Sequence, residues 1–169
     1  MSTGSDLSTG YRPVLSALIE RTVGPQAAEI DRTGAFPREA VRALGDYGLL
    51  GLISAPQVGG GGEPLAAAAH VIEALAARCP STALVVLMHY AAVPVIEAHG
   101  PQDIRRAIAR GDHLSSLAFS ETGSRSHFWA PLGTAKVLDD KTVQLDARKS
   151  WVTSAGHANS YVWSSRPLA

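Results

Sequence analysis

The sequence predicts an α+β protein: an N-terminal all-helical bundle domain over 1–113, then, over 114–169, the start of an antiparallel, β-barrel-like domain that stays incomplete. Three observations carry this. Apolar residues recur at helical spacing through the first two thirds of the chain. One long segment, Ala83 to Ile96, is apolar on nearly every side, as a central helix should be. After about residue 114 the texture changes to short alternating runs with β-branched and aromatic residues.

Taken in order, Tyr11 to Val23 places Val14, Leu15, Leu18, Ile19 and Val23 on one stripe, and Gly24-Pro25 is expected to break that helix. Pro37 to Leu50 opens with proline at a first helical position and turns Val41, Leu44 and Leu49 inward. Gly-Leu-Ile-Ser-Ala-Pro (51–56) reads as a short extended piece, and 57–64, with four consecutive glycines, as a flexible loop. Pro64 to Arg78 is an Ala-rich helix closed by Cys79-Pro80, with Ser81 able to cap its successor. That successor, Thr82 to His99, is placed at the centre of the bundle, so a charge at Leu87 is expected to cost several kcal/mol. Gly100-Pro101 ends it, and Gln102 to Ala109 forms a short helix. Leu114 to Phe119, Gly133 to Leu138, Thr142 to Leu145 and Tyr161 to Ser164 are the β-type runs, with Asp139-Asp140-Lys141 as a hairpin turn.

Composition narrows the function. The chain has 169 residues, 46% of them hydrophobic and 18% charged, which is ordinary for a soluble globular protein. Fifteen Lys plus Arg balance fifteen Asp plus Glu, so no net field draws the chain to nucleic acid or an anionic membrane. The apolar run over 83–96 is interrupted by His89 and Pro94 and is shorter than a bilayer requires. One cysteine, Cys79, cannot form an internal disulfide, and no secretory signal opens the chain; a cytoplasmic location is expected. The six histidines are scattered, only His70 and Glu73 having helical ligand spacing, so no metal site is expected.

Two loops carry the chemistry. Ala-Phe-Ser-Glu-Thr-Gly-Ser-Arg-Ser-His (118–127) is a hydroxyl-rich turn, and Lys-Ser-Trp-Val-Thr-Ser-Ala-Gly (149–156) offers an indole and a second hydroxyl. Such a pair suits a flat aromatic cofactor that also carries phosphates, the indole stacking and the hydroxyls bonding heteroatoms or phosphate oxygens. The two loops resemble the flavin-binding segment of the acyl-CoA dehydrogenase family, a Thr/Ser-Glu-Pro-x-x-Gly-Ser-Asp turn followed by Trp-Ile/Val-Thr-Asn. Upstream, the run from Leu44 to Ile53 resembles that family's Leu-Gly-x-x-Gly-Leu-x-Gly segment, and Pro56 to Gly60 its Pro-x-x-x-Gly-Gly turn. The run from Ile72 to Leu84 and the one from Ala98 to Arg106 are similar to two further family segments in the same order.

The resemblance implies FAD as cofactor, an acyl-CoA or related acyl thioester as substrate, and α,β-dehydrogenation as the reaction. By position, Ser120 matches the hydroxyl at the flavin pyrimidine edge and Phe119 lends backbone contacts beside it. Ser126 matches the serine near the pyrophosphate and the thioester, Trp151 the indole packed on the flavin, and Thr153 the hydroxyl near its reactive nitrogen. Leu87 and Tyr90 fall where the family lines its acyl pocket. Thr122, Arg125 and His127 depart from the motif's proline, second glycine and aspartate. The family's catalytic glutamate lies in a second helical bundle to which no residue here corresponds, so no catalytic residue is assigned and the chain is expected to be a truncated or split form. Its open β edges imply a homo-oligomer or a partner chain.

Plainer readings compete. Trp129 and Trp151 can be core or interface aromatics, and Ser120 and Ser126 ordinary turn residues; Glu121 could pass for a general base, but the resemblance implies a structural carboxylate that holds the turn. Two other functions fit the same pattern: a flavin monooxygenase on the same scaffold, or a non-catalytic interaction module.

Overall fold

A computed structural model describes residues 10–125, 127 and 129–168. The first helix, α1 (Tyr11–Leu18), passes through a π-helical turn (Ile19–Val23) straight into α2 (Gly24–Thr33). The expected break at Gly24-Pro25 does not occur. A proline inside an α-helix lacks an N–H and collides with the carbonyl four residues back. Here the Gly24 N–H bonds the Ile19 carbonyl five residues back, and the wider turn admits Pro25 without ending the helix.

Helix α3 (Arg38–Asp46) stops short of the expected Leu50, because the Leu49 N–H turns back to the Leu44 carbonyl at 2.8 Å. Residues 51–56 are not extended. They form successive turns leading into a 3-10 turn, Pro56–Val58. Nor is the glycine run a loose loop: Gly61 N–H donates to Gly51 O (3.0 Å), Gly62 N–H to Ser54 O (2.9 Å) and Glu63 N–H to Leu52 O (3.0 Å). A Cβ on Gly60 or Gly61 would sit 2.3 Å from Ser54 O or 2.6 Å from Leu52 O. These glycines permit close backbone approach rather than flexibility.

Helix α4 (Leu65–Ala76) packs along α5 (Pro80–His99), and α6 (Gln102–Ala109) follows. Pro80 occupies the first turn of α5, so Cys79 stands at its cap and Ser81 lies inside the helix instead of capping it. By length and composition α5 could cross a bilayer, but half of it is buried inside this protein. Val85, Val86, His89, Tyr90, Ala92 and Val93 face inward, whereas Leu84, Leu87, Ala91, Val95 and Ala98 form an exposed apolar stripe. The central placement is therefore one-sided, and Leu87 is a correction: it is 37% exposed, so a charge there keeps its water.

Strand β1 (Ser115–Ala118) pairs with β4 (Ser160–Trp163) in parallel, Ser115 opposite Ser160. Strands β2 (Thr134–Asp139) and β3 (Thr142–Asp146) form an antiparallel hairpin through the expected turn, where Asp139 Oδ1 accepts from the Lys141 N–H at 2.9 Å. The helical-then-β order stands, with no closed barrel among the described residues, and the β1–β4 pair departs from the antiparallel expectation. Parallel neighbours need a long crossover, which the 41 residues from Phe119 to Asn159 provide. The hairpin leaves Val137, Leu138, Val143 and Leu145 exposed.

His89 joins the two halves. It is fully buried; its Nδ1 accepts from the Ser115 N–H (3.1 Å), so its Nε2 carries the proton and donates to Leu50 O (3.0 Å). Burial, reinforced by the nearby His113, lowers its pKa from 6.5 to about 4 against the opposing pull of the Leu50 bond. The unfolded chain therefore takes up a proton that the native ring refuses. Stability is expected to fall by about 3 kcal/mol as pH drops from 6.5 to 4. Urea unfolding at pH 7 and pH 4 measures this, and His89→Phe, less stable at pH 7, should show a flatter profile. Leu87→Asp should shift stability by less than about 1 kcal/mol in the same assay.

Candidate functional site

The two predicted loops lie side by side. The Ser150 N–H donates to Ser120 O at 2.9 Å and the Thr122 N–H to Arg148 O at 3.2 Å, with Glu121 and Lys149 opposite one another in an antiparallel bridge. This bridge grows from β1, whose end delivers Phe119 and Ser120, and from the chain returning after β3.

A buried ion pair lies beneath the bridge. Lys149 Nζ donates to Glu121 Oε1 at 2.6 Å, and the two side chains are 5% and 3% exposed. Glu121 Oε2 accepts from the Leu132 N–H (2.5 Å) and the Gly133 N–H (2.9 Å). Lys149 Nζ also donates to Ser164 O (2.6 Å) and Ser164 Oγ (3.0 Å), and lies 4.8 Å from the centre of the Trp163 ring. A Cβ on Gly133 would fall 2.8 Å from Glu121 Oε1, so a glycine there makes room for the carboxylate. Burial alone would raise the Glu121 pKa; the donors from Lys149, Gly133 and Leu132 outweigh it and hold the carboxyl below its ordinary value. Both oxygens are engaged, so Glu121 serves structure and not proton abstraction.

The predicted residues are placed differently. Ser120 and Thr153 lie on the joined loops, half-buried, and neither hydroxyl has a hydrogen-bond partner among the described residues. Trp151 is 90% exposed with φ at 57°, its indole held by no hydrogen bond or ring contact among the described residues. Phe119, half-buried, gives its carbonyl to Ser164 Oγ at 3.4 Å. Ser126 lies outside the described residues. Leu87 and Tyr90 part company: Leu87 faces outward, while Tyr90 is buried and its hydroxyl donates to the Leu49 carbonyl. Burial pushes that phenol's pKa well above its ordinary value, so it stays a neutral donor.

Sequence reasoning missed two features of the site. Ser154 also has positive φ, at 64°, and its Oγ is buried without a partner. His157 stacks on Phe36 with ring centres 4.1 Å apart, and its Nδ1 accepts from Arg38 at 3.2 Å, clamping the second loop to the helices. Neither contact has a sequence signal, because each joins residues far apart in the chain. Between loop and helices lies a cavity of about 380 Å³ lined by Thr153, Ser154, His157, Phe36, Leu84 and others. Trp151 is not part of that lining, so the indole and Thr153 share a loop but not this concavity. A larger cavity, about 640 Å³, lies at the far end of α5 beside Glu97 and Arg105 and contains none of the predicted residues.

A family model for the acyl-CoA dehydrogenase N-terminal domain matches residues 10–111. The chain belongs to the acyl-CoA dehydrogenase family. Among relatives, a short-chain specific acyl-CoA dehydrogenase of Clostridium acetobutylicum is 26% identical over 156 residues, 89% of this chain and 41% of that protein. Butyryl-CoA dehydrogenase of Megasphaera elsdenii shares the fold with a TM-score of 0.80 at 20% identity, over 94% of this chain and 43% of its own. The protein KijD3, solved with FMN and a dTDP-linked amino-keto sugar, aligns with a TM-score of 0.78 at 25% identity, over 98% and 42%. The chain thus spans about two fifths of the length of the acyl-CoA dehydrogenases it resembles.

Removing one member of the buried pair should be costly. Lys149→Met leaves the Glu121 charge unpaired and is expected to destabilise the β segment by about 3–5 kcal/mol, measured by chemical unfolding. Because the folded Glu121 pKa is depressed, its contribution is present above the ordinary carboxylate value and is lost as pH falls through the folded one.

Proposed function

We propose that this chain forms the flavin-contacting half, and one wall of the acyl pocket, of an FAD-dependent acyl-CoA dehydrogenase acting across the α and β carbons of an acyl thioester. One observation carries the reading: two loops joined by backbone bonds present an unclaimed Ser120 hydroxyl, an unclaimed Thr153 hydroxyl and a freely exposed Trp151 indole. Those groups fit a flavin, which needs an apolar face for its ring and hydrogen-bond partners at its polar edge. Ser120 would bond the pyrimidine edge, Thr153 the region of the reactive nitrogen, and Trp151 would cover the ring. Ser126 is assigned to the pyrophosphate and thioester by sequence position alone. When bound, the flavin supplies the hydride acceptor.

The residues of this chain orient and enclose. The exposed stripe of α5, with Leu84 and Leu87 one turn apart, offers apolar surface for an acyl chain and for excluding water. Glu121 is engaged as described, so it is not the carboxylate that removes the α-proton; the family resemblance assigns that role to a glutamate of a second helical bundle. The same stripe and the exposed hairpin support assembly as a homo-oligomer or with a partner chain.

A flavin monooxygenase is the second reading, favoured by the likeness to FMN-bound KijD3. Anaerobic addition of butyryl-CoA separates the two once the missing carboxylate is supplied: a dehydrogenase flavin bleaches, a monooxygenase flavin does not. The cofactor reading itself is tested by titrating the chain with FAD. Trp151→Ala should weaken binding about tenfold, the scale of one lost aromatic stacking contact, and leave the helical circular dichroism unchanged. A chain that cannot be reconstituted with FAD leaves the interaction-module reading in its place.

A further inference from the structure

The indole of Trp151 poses a mechanical problem. It is 90% exposed and makes no hydrogen bond or ring contact with described residues, so only the backbone, which aims its Cα–Cβ bond, restrains it. That backbone has φ at 57°, the left-handed region that a bulky L-residue enters at a cost of about 1–2 kcal/mol. Such a conformation persists only where the surroundings over-determine it. On the C-terminal side the restraint is the Thr153 carbonyl, which accepts from Ser116 Oγ at 2.7 Å. On the N-terminal side it is Lys149, two residues away, with the Ser150–Ser120 bond between them.

We infer that Lys149, acting through Glu121, is a positioning residue that holds Trp151 in its strained, outward-facing conformation and so sets the stacking face of the cofactor site. The inference rests on the flavin reading of that face, though its mechanical half stands on the geometry alone. Lys149 suits the task because its ammonium bonds both Glu121 and Ser164, tying the start of the Trp151 loop to the preceding turn and to the end of β4. Glu121 then ties the same point to residues 132 and 133 at the head of β2. Four stretches of chain meet at one pair of side chains. A lysine that merely neutralised Glu121 would not need these bonds, and a tryptophan that was simply a surface residue would not need a left-handed backbone.

The test uses the full chain with Trp129→Phe and Trp163→Phe, which makes Trp151 the sole indole and keeps a ring beneath Lys149. Into this background go Lys149→Met, Lys149→Arg and the double change Glu121→Gln with Lys149→Met, which strands no buried charge and guards against simple unfolding. Two quantities are read: the fluorescence anisotropy of Trp151 without cofactor, and the dissociation constant for FAD. The double variant is expected to keep its circular dichroism, lower the anisotropy of Trp151 and weaken FAD binding by about tenfold or more, the range over which misplaced binding groups lose effect. Lys149→Arg, which keeps the charge and its donors, should recover most of both. Unchanged anisotropy in a folded double variant overturns the inference. Loosened anisotropy in a background that never binds FAD supports the positioning role and removes the flavin reading alone. Looser anisotropy with FAD binding unchanged removes the claim that this position sets the stacking face.

Discussion

One neutral imidazole organises this chain. His89 lies on the helix that packs against both the Ala-rich helix and the first strand, and its two nitrogens are committed in opposite senses, one accepting from Ser115 and the other donating to Leu50. The turn after α3, the central helix and β1 are thereby fixed at a single point. An uncharged ring is the only form that satisfies both partners, and complete burial supplies the penalty that keeps it uncharged. Because β1 runs from that contact to Phe119 and Ser120, the placement of the first loop depends on a proton being absent from a ring in the helical core.

The outer part of the β region is arranged by charge instead of neutrality. Glu121 and Lys149 are almost wholly buried, but each is surrounded by partners that make the burial tolerable: two amides on the carboxylate, a carbonyl, a hydroxyl and an aromatic face on the ammonium. The side chains of the two joined loops contrast with this pair. The side chains of Ser120, Thr153 and Trp151 make no hydrogen bond among the described residues, while the carbonyls of Ser120 and Thr153 hold the two loops in place.

Much of this was legible in the sequence because it follows from local rules. Helical spacing, the proline and glycine stops around α5, and the Asp139-Asp140-Lys141 turn all appear where residue type alone puts them. The failures have physical causes. Gly24-Pro25 reads as a break until one π turn absorbs it, and Gly59 to Gly62 read as a loose loop until the opposing backbone is seen to need their missing side chains. Composition alone points Leu87 inward, since a helix apolar on nearly all sides gives no cue about which side is covered. The two joined loops were legible through Ser120, Trp151 and Thr153. The partner of Glu121, the positive φ of Trp151 and the Phe36–His157 clamp were not, for long-range pairing leaves no trace in local pattern.

The π turn also fixes a phase relationship along the N-terminal helix. A π turn amounts to one extra residue spliced into an α-helix, and the widened turn over Ile19–Val23 absorbs it, so α2 keeps the phase of α1. At 3.6 residues per turn, the same residues wound as a plain α-helix would carry everything downstream through a further rotation of about 100°. Ile30, now buried and lining the cavity beside Thr153, would swing toward solvent, and Glu29 would take its place. The wide turn therefore matches the length of this segment to the faces it buries: one residue fewer is met by an ordinary turn, whereas one more turns a carboxylate inward.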